Sequence, residues 1–448
     1  MNQLYGVALF NEPSEYKDGW AAIGGSIGRE PFSFESTGEL SNDVIWLTNM
    51  DADLFFRAGL MKTPRFRHSQ YLRTKLSSMI LELGLKNVDL PGQAIILANI
   101  FNNIMKITKF HIGISGAPIN TLSTGLKQVI QPEIDVFSPK VRDASSKACQ
   151  SFVQCMKPYE TLDEDSQIVS LVFHRQKYAH VMKTYDLPTG NWEKASSVIL
   201  AQSNEQLLDW VCDHDKPCLI EVDIMRIDSD INHLLNYGSG AGVHIKKAQN
   251  GKNWAGLNQR EWMTTPELKI IRKYTDLIVK DILIGEGYIK NPIKLPEWGG
   301  LSYSTGILNE NIWVSLTKDL TGKNAKTPQS AWLHSIDRML CFLTAKKIEK
   351  SNFATIHSYG YGRITICIPD NNFKNLIDLA ARIGMIAPMP EEEDCYNRKI
   401  TKDAPHELVF EAIMERRAFH LIEKLDNEAI KKAKELKNRQ SKSIKVTL

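Results

Sequence analysis

The stretch that decides the fold runs from Asn311 to Ile386 and contains the turn Y-G-Y-G-R at Tyr359–Arg363. It opens on Ile312–Thr317, I-W-V-S-L-T, a run rich in residues that favour β-strands. From Thr327 to Ile348, apolar residues recur at helical spacing, and Pro328 suits a first helical turn. The first half of the stretch therefore predicts a strand followed by a helix.

The second half of the stretch predicts a hairpin and another helix. Phe353–Ser358 and Arg363–Ile368 read as strands on either side of two glycines, which permit a tight turn. Phe373–Ile383 has helical spacing, and Gly384 is typical of the residue that ends a helix. The order β-α-β-β-α is that of a ferredoxin-like βαββαβ unit without a clear last strand.

The chain as a whole is expected to be a multi-domain α+β or mixed α/β protein, because 448 residues exceed the usual size of one core. The patterns separate a mixed α/β domain at 1–150, a strand-rich α+β unit at 160–300, the ferredoxin-like unit at 305–400 and an amphipathic, basic helix at 401–448. Further strands are predicted at Leu4–Phe10, Ile168–Phe173, Tyr178–Tyr185, Ser197–Ala201 and Cys218–Ile227. Further helices are predicted after a Ser69 cap, from near Pro91 to Ile107, over Asn204–Trp210 and over Ala404–Arg439.

Composition places the protein among ordinary globular proteins, with 43% hydrophobic and 24% charged residues. No apolar run approaches the length of a membrane span, and the N-terminus lacks the pattern of a secretory signal. Seven widely spread cysteines do not suggest a disulfide framework. We therefore expect a cytoplasmic protein that does not bind membranes.

Charge is concentrated at the C-terminus. Residues 431–448 carry seven basic side chains and one acid, Glu435, although the net charge of the whole chain is only +3. Such a tail, which includes Arg439 and Lys442, could contact nucleic-acid phosphates. The alternative is a solvated helix end whose cations complement the helix dipole.

The predicted hairpin is one candidate binding surface. Its string Y-G-Y-G-R-I-T-I resembles the third-strand signature of the RNA-recognition motif at Gly360, Tyr361, Gly362 and Ile364. Three positions differ, Tyr359, Arg363 and Ile366, and we assign no family from this similarity. Apart from the resemblance, an aromatic residue and an arginine on a glycine-permitted turn can stack on unpaired bases and contact phosphate, so Tyr359, Tyr361 and Arg363 are the candidate contacts. The alternative is a tight hairpin with packed tyrosines.

The segment from Leu54 to Leu81 is a second candidate, because its composition is basic and aromatic with no acid. The residues expected to contact nucleic acid are Lys62, Arg65, Phe66, Arg67 and Arg73. Pro64 favours an extended conformation for the residue before it. The alternative is a basic surface loop that leads into an ordinary helix.

A third candidate lies in the glycine-rich loop Tyr237–Trp254, where Lys246, Lys247 and Lys252 flank Asn250-Gly251. Asn-Gly favours a hairpin turn, so these lysines could project on a basic hairpin that clamps a strand of nucleic acid. A loop without regular structure is the equal alternative. The loop lacks the lysine motif of a phosphate-binding P-loop, and no cofactor is expected.

Catalysis has one candidate pair. Glu221 and Asp223 alternate along a predicted strand and could bind Mg²⁺ together. A solvated strand face shows the same alternation, and the cysteine spacings do not match zinc sites. No motif of a known catalytic class is present.

Together these surfaces favour a nucleic-acid-binding protein, which binds RNA or single-stranded DNA with little sequence preference, over an enzyme. A place in a nucleoprotein complex with other protein subunits, of the antiviral-defence kind, follows only by analogy with other ferredoxin-like modules. The alternatives are a metal-dependent nuclease or transferase that uses Glu221 and Asp223, and a structural protein that self-assembles through its C-terminal helix.

Overall fold

The structure is a computed structural model. It describes residues 3–15, 17–25, 30–114, 121–130, 137–149, 153–155, 166–173, 181–182, 184–228, 231, 233–235, 262–289, 295, 302–317, 327–369, 372–386 and 421–422.

The described residues form short and long strands in both halves of the chain. The strands are β1 Leu4–Phe10, β2 Gly19–Ile23, β3 Phe32–Phe34, β4 Val44–Thr48, β5 Phe66–His68, β6 Val153–Gln154, β7 Ser166–Phe173, β8 Leu187–Lys194, β9 Cys218–Ile227, β10 Trp262–Thr264, β11 Thr275–Ile289, β12 Thr355–Gly360, β13 Arg363–Pro369, β14 Met385–Ile386 and β15 Leu421–Ile422. The α-helices are α1 Ala52–Arg57, α2 Leu76–Glu82, α3 Leu90–Ile107, α4 Leu122–Ile130, α5 Pro139–Ala148, α6 Ser197–Leu200, α7 Asn204–Asp213, α8 Thr265–Ile271, α9 Ser302–Thr317, α10 Pro328–Glu349 and α11 Phe373–Ile383. The mixed α/β, multi-domain class expected from the sequence is confirmed.

The chain forms two compact units, each assembled from segments that are distant in sequence. The first unit contains residues 1–133, 175–186 and 289–323, and the second contains 134–174, 187–288 and 324–448. The four-part division predicted from the sequence stays a prediction about which parts fold independently.

The first unit is built on a mixed sheet with the strand order β3-β2-β1-β4-β5. β1 is antiparallel to β2 and parallel to β4. Helix α3 packs on β1 and β2, where the Phe101 ring meets Tyr5 edge-on with ring centroids 5.7 Å apart. Gly24 follows β2, and a Cβ at this position would lie 2.1 Å from the Ala98 carbonyl oxygen. Glycine is therefore required for the close approach of the chain to α3.

The predicted opening strand of the ferredoxin-like unit is wrong, because its residues belong to helix α9. Ile312–Thr317 is the last part of α9 in the first unit, although its residues favour strands. Buried Ile307, Leu308, Ile312 and Leu316 recur at helical spacing, and this periodicity outweighs local propensity. The amide of Asn311 donates to Leu72 O at 3.1 Å and fixes the helix within the unit.

The second unit contains a sheet with the order β10-β9-β11-β8. The prediction of a strand at Cys218–Ile227 is confirmed by β9, which pairs antiparallel with β11. Two predicted strands are wrong. Ser197–Leu200 is helix α6, capped by the Ser196 hydroxyl, and Val181, Met182 and Thr184, within the predicted strand Tyr178–Tyr185, are helical.

A second sheet of this unit contains the hairpin. Its path is β14-β7-β13-β12-β6, and β15 also pairs with β7. The hairpin, α10 and α11 agree with the sequence prediction, and α11 ends at Gly384 with φ of +74°. The neighbour of β13 is β7, however, and the ferredoxin-like unit is not confirmed. The long helix predicted over Ala404–Arg439 is wrong at Leu421–Ile422, which are paired as a strand.

Helix α10 is buried along nearly its whole length and carries charged groups into the core. Arg338 donates to the carboxylate of Glu267 on α8, and both side chains are 0% exposed. The Ser335 hydroxyl donates to the same carboxylate at 3.3 Å. Because a buried charge is costly without a partner, this pair holds α10 against α8.

Within the described part of the chain, no helix is both long enough and apolar enough to cross a membrane.

Candidate nucleic-acid interface

The tip of the β12-β13 hairpin is the most exposed aromatic feature of the second unit's described residues. Gly360 and Arg363 pair across the hairpin, which leaves Tyr361-Gly362 as a two-residue turn. Both turn residues have positive φ, +55° at Tyr361 and +74° at Gly362. This conformation matches the right-handed twist of the strands and normally selects Asn-Gly or Gly-Gly. Tyrosine at the first position is therefore strained by about 1 kcal/mol.

Asp337, on α10, forms hydrogen bonds with the backbone of this turn. Its buried carboxylate accepts the backbone N–H of Tyr361 at 2.7 Å and that of Gly362 at 2.8 Å. The thiol of Cys341, one helical turn further along, lies 3.9 Å from the same carboxylate. Burial, followed by the charge of Asp337, raises the pKa of Cys341, so the thiol keeps its proton and can donate. The turn is thus fixed to the core by a charged acceptor.

The side chain of Tyr361 stays accessible, with 52% of its surface exposed. The His334 ring, on α10, meets the tyrosine ring edge-on at a centroid distance of 5.9 Å and an angle of 83°. Half of the tyrosine surface therefore faces solvent beside this contact. A base could stack on such a ring, since stacking needs a flat, accessible aromatic surface.

The other two hairpin residues predicted to bind have different surroundings. Tyr359 is buried in the core, where its hydroxyl donates to Leu234 O at 2.6 Å, so a stacking role for Tyr359 is wrong. Arg363 is half-buried, and its backbone pairs with Val172 of β7. The structure brings Tyr361 and Arg363 to the same turn and takes Tyr359 away from it.

Part of the predicted basic surface in the first unit is internal. Arg65 donates to the Asn42 side chain and, at 2.6 Å, to Thr37 O. Arg67 is buried and donates to Phe66 O at 2.7 Å, and burial lowers its pKa. Phe66 itself is a core residue. A phosphate-binding or stacking role for Arg67 and Phe66 is therefore corrected, because their polar and apolar groups are already used inside the unit.

Two further predicted contact residues, Arg73 and Lys62, lie in the same segment. Arg73 is half-buried with a positive φ of +57°, and its Nε donates to the Ser123 hydroxyl at 2.6 Å. Lys62 is exposed at the end of a short 3-10 turn, Leu60–Lys62. The predicted capping of a helix by Ser69 is also wrong, since Ser69 is buried in a separate 3-10 turn and α2 begins at Leu76.

Five predicted contact residues lie outside the described residues: Lys246, Lys247, Lys252, Arg439 and Lys442. Their roles stay predictions.

The candidate metal pair lies on one face of β9. Asp223 is exposed and forms an ion pair with Lys280 at 2.6 Å. The residue opposite Glu221 on β11 is Asp281, whose carboxylate is bound by Lys140 and, at 3.2 Å, by Lys194. The carboxylates of Asp223 and Asp281 are therefore already paired with lysine ammonium groups. Among the described residues, no group of three or more acidic, histidine or cysteine side chains could hold a metal ion.

Two residues of the hairpin site escaped the sequence reasoning, His334 and Asp337. They are three residues apart on α10 and thus share a helix face. The available signal was that both polar residues lie directly beside large apolar residues of this helix, Leu333 and Ile336.

Comparisons with known proteins give no family. No family model matches the chain, and no curated protein matches its sequence. Solved structures of Phi29 DNA polymerase are similar over 82% of this chain and 80% of that one. The orthorhombic crystal form gives a TM-score of 0.42 at 10% identity. The complex with single-stranded DNA gives 0.41 at 10%, and the binary complex with primer-template DNA gives 0.42 at 9%, with the same coverage. A similarity at this level assigns neither activity nor partner to the chain.

Proposed function

We propose that the protein binds single-stranded nucleic acid, RNA or DNA, with little sequence preference, and that Tyr361 provides a stacking platform. The observation that carries this proposal is the exposed tyrosine held in a strained turn by a buried carboxylate. Every base has a flat face, so stacking on one ring does not select a sequence.

Strain supports a role for Tyr361 beyond folding. Glycine or asparagine would fit the positive φ at lower cost, and half of the tyrosine surface lies in solvent rather than in the core. Strained residues that the surrounding structure over-determines are concentrated at binding and catalytic sites. Here Asp337 supplies that determination.

Rigidity of the turn favours binding. A ring on a backbone fixed by two charge-assisted hydrogen bonds loses little conformational entropy when a base stacks on it. Arg363 ends the turn and adds a cation within the same hairpin. An aromatic ring and an arginine in one hairpin are the composition of sites that bind single strands through bases and phosphates together.

The test is a substitution series at Tyr361. Binding of a fluorescent single-stranded oligonucleotide is measured by anisotropy, with duplex DNA as the second substrate. Tyr361→Ala should weaken single-strand binding by about 1 to 3 kcal/mol, Tyr361→Phe by much less, and duplex binding should change little. The urea midpoint of Tyr361→Ala should fall only a little, because half of the lost side chain is exposed and its described ring contact is with His334.

Phe56 provides the matched control, since it has the same 52% exposed fraction but lies on helix α1. Phe56→Ala should leave binding unchanged. Equal losses at both positions, or equal losses on single strands and duplex, would refute a stacking role for Tyr361.

Binding by Lys246, Lys247, Lys252, Arg439 and Lys442, and a place in a nucleoprotein complex with other subunits, remain parts of this proposal. Deletion of residues 438–448 tests the tail. If Arg439, Lys442 and Lys445 contact phosphate, the slope of log K against log salt should fall by roughly 2 units for a single strand.

A further inference from the structure

A second exposed aromatic residue lies in the first unit, where helix α3 continues into a π-helical turn, Thr108–Ile112. The turn closes with Ile114 N–H donating to Thr108 O at 3.2 Å, and Gly113 ends it with φ of +81°. π-helical turns are rare in proteins, but many of those that occur lie at functional sites.

Phe110, at the centre of this turn, is 70% exposed, more than any other large aromatic side chain of the described residues. Thr108 and Ile112, on either side of it, are buried. The buried Thr108 and Ile112 therefore fix the turn to the core, while the phenyl ring of Phe110 lies in solvent. A ring in this position is not explained by packing, since it contributes little to the core.

Lys109 is the lysine nearest to Phe110. The Lys109 ammonium lies 5.5 Å from the centroid of the phenyl ring, and Lys106 and His111 are exposed on the same segment. From Leu90 to Pro132 the sequence contains no acidic residue. Lys106 and Lys109 therefore have no acidic neighbour within this stretch of sequence.

We propose that Phe110, with Lys106 and Lys109, is a second contact for single-stranded nucleic acid, in which a base stacks on the phenyl ring and the lysines contact the adjacent phosphates. This inference rests on the proposed function and adds a site in the other compact unit. An exposed aromatic ring with lysines close to it in the chain, in a stretch without acids, is the pattern of single-strand grooves.

A membrane surface fits these observations less well. Interfacial membrane binding needs several apolar side chains on one face, whereas the immediate neighbours of Phe110 are Lys109 and His111. One phenyl ring is also a small apolar area for a protein interface.

The experiment uses the full chain and two readouts. Binding of oligothymidylate and oligouridylate is measured by anisotropy for the parent, Phe110→Ala, Phe110→Trp and Lys106→Gln/Lys109→Gln. We expect Phe110→Ala to weaken binding by roughly 5- to 150-fold and Phe110→Trp to retain it, because stacking needs only a flat ring. The double lysine variant should reduce the salt slope by about 1 to 1.5 units. In parallel, photocrosslinking to bromouridine oligonucleotides should label the peptide that contains Phe110.

The outcomes separate the two proposals. Parent binding with unchanged affinity in Phe110→Ala and no label on this peptide overturns the second contact and leaves the proposed function intact. Failure of the parent to bind either oligonucleotide overturns both. Binding to vesicles of anionic lipid that Phe110→Ala abolishes, without oligonucleotide binding, would identify a membrane contact instead. Phe56→Ala, which removes another exposed phenyl ring on α1, serves as the control that should change nothing.

Discussion

The anchoring of the hairpin turn by Asp337 is open to direct measurement through Asp337→Asn. The carboxylate accepts two backbone N–H groups, those of Tyr361 and Gly362, at 2.7 and 2.8 Å. The asparagine side chain has almost the same shape but only one acceptor oxygen, and its NH₂ group would face the second N–H. One charge-assisted hydrogen bond is then lost, and the other becomes neutral.

The magnitude follows from typical values for such bonds. A hydrogen bond to a charged group contributes about 1.5 to 3 kcal/mol, and a buried N–H without an acceptor costs about 1 to 3 kcal/mol. The lost hydrogen bond and the unsatisfied N–H are two measures of the same broken contact, so their free energies are not added. We expect Asp337→Asn to lower the free energy of unfolding by about 2 to 3 kcal/mol, and Asp337→Ala by somewhat more, because alanine leaves both N–H groups without an acceptor.

Urea denaturation followed by tryptophan fluorescence measures this loss. Asp378→Asn is the matched control, since Asp378 is exposed on α11 and its substitution should change the midpoint little. Unchanged midpoints in both Asp337 variants would refute the anchoring role. The same variants also test function. In Tyr361→Ala, Asp337→Asn should cause almost no further loss of single-strand binding, because its effect on binding passes through the orientation of that ring.

Three further predictions concern other parts of the chain. Arg65→Met should lower the free energy of unfolding by about 1 to 2 kcal/mol, because the contacts with Asn42 and Thr37 are lost. The salt dependence of nucleic-acid binding should stay the same. As the control, Lys62→Met at an exposed position should leave the urea midpoint unchanged. Arg338→Met should destabilise by about 3 to 5 kcal/mol by leaving Glu267 buried without its partner, and adding Glu267→Leu should recover most of this loss; a double variant as unstable as the single one would contradict the interpretation. Burial lowers the pKa of His357 to about 4 from an ordinary 6.5, so the unfolded chain binds the proton first as the pH falls. The stability contributed by the neutral ring is complete above about pH 6.5 and lost towards about pH 4, by about 3 kcal/mol, and His357→Asn should remove this part of the pH dependence of the urea midpoint.

Local patterns predicted the elements that depend on local signals. Strand β1, helix α3, helix α10 and the β12-β13 hairpin all carry their periodicity, caps or turn residues within the element itself. The error at Ile312–Thr317 arose where six residues with high strand propensity end a helix that begins at Ser302. Over the whole of α9, the buried residues Ile307, Leu308 and Ile312 show the helical period, whereas a six-residue window shows only propensity.

Long-range relations were the part that the sequence could not supply. Asp337 is 24 residues before Tyr361, and nothing in either segment alone indicates that the carboxylate accepts the N–H groups of the turn. Arg67 illustrates the converse error, since its basic character predicted a surface contact but its guanidinium donates to carbonyls inside the unit. Each unit is also assembled from segments far apart in sequence, an arrangement that local composition does not indicate.

The energetics of the hairpin tip connect its strain to its proposed role. Placing tyrosine at a φ of +55° costs about 1 kcal/mol, while the two hydrogen bonds to Asp337 contribute about 1.5 to 3 kcal/mol each. The hydrogen bonds therefore exceed the strain, and the turn keeps one backbone conformation before any ligand arrives. The backbone that carries the ring is therefore ordered before binding. The conformational entropy of the turn is therefore lost when the protein folds, and the stacking free energy of a base contributes directly to binding.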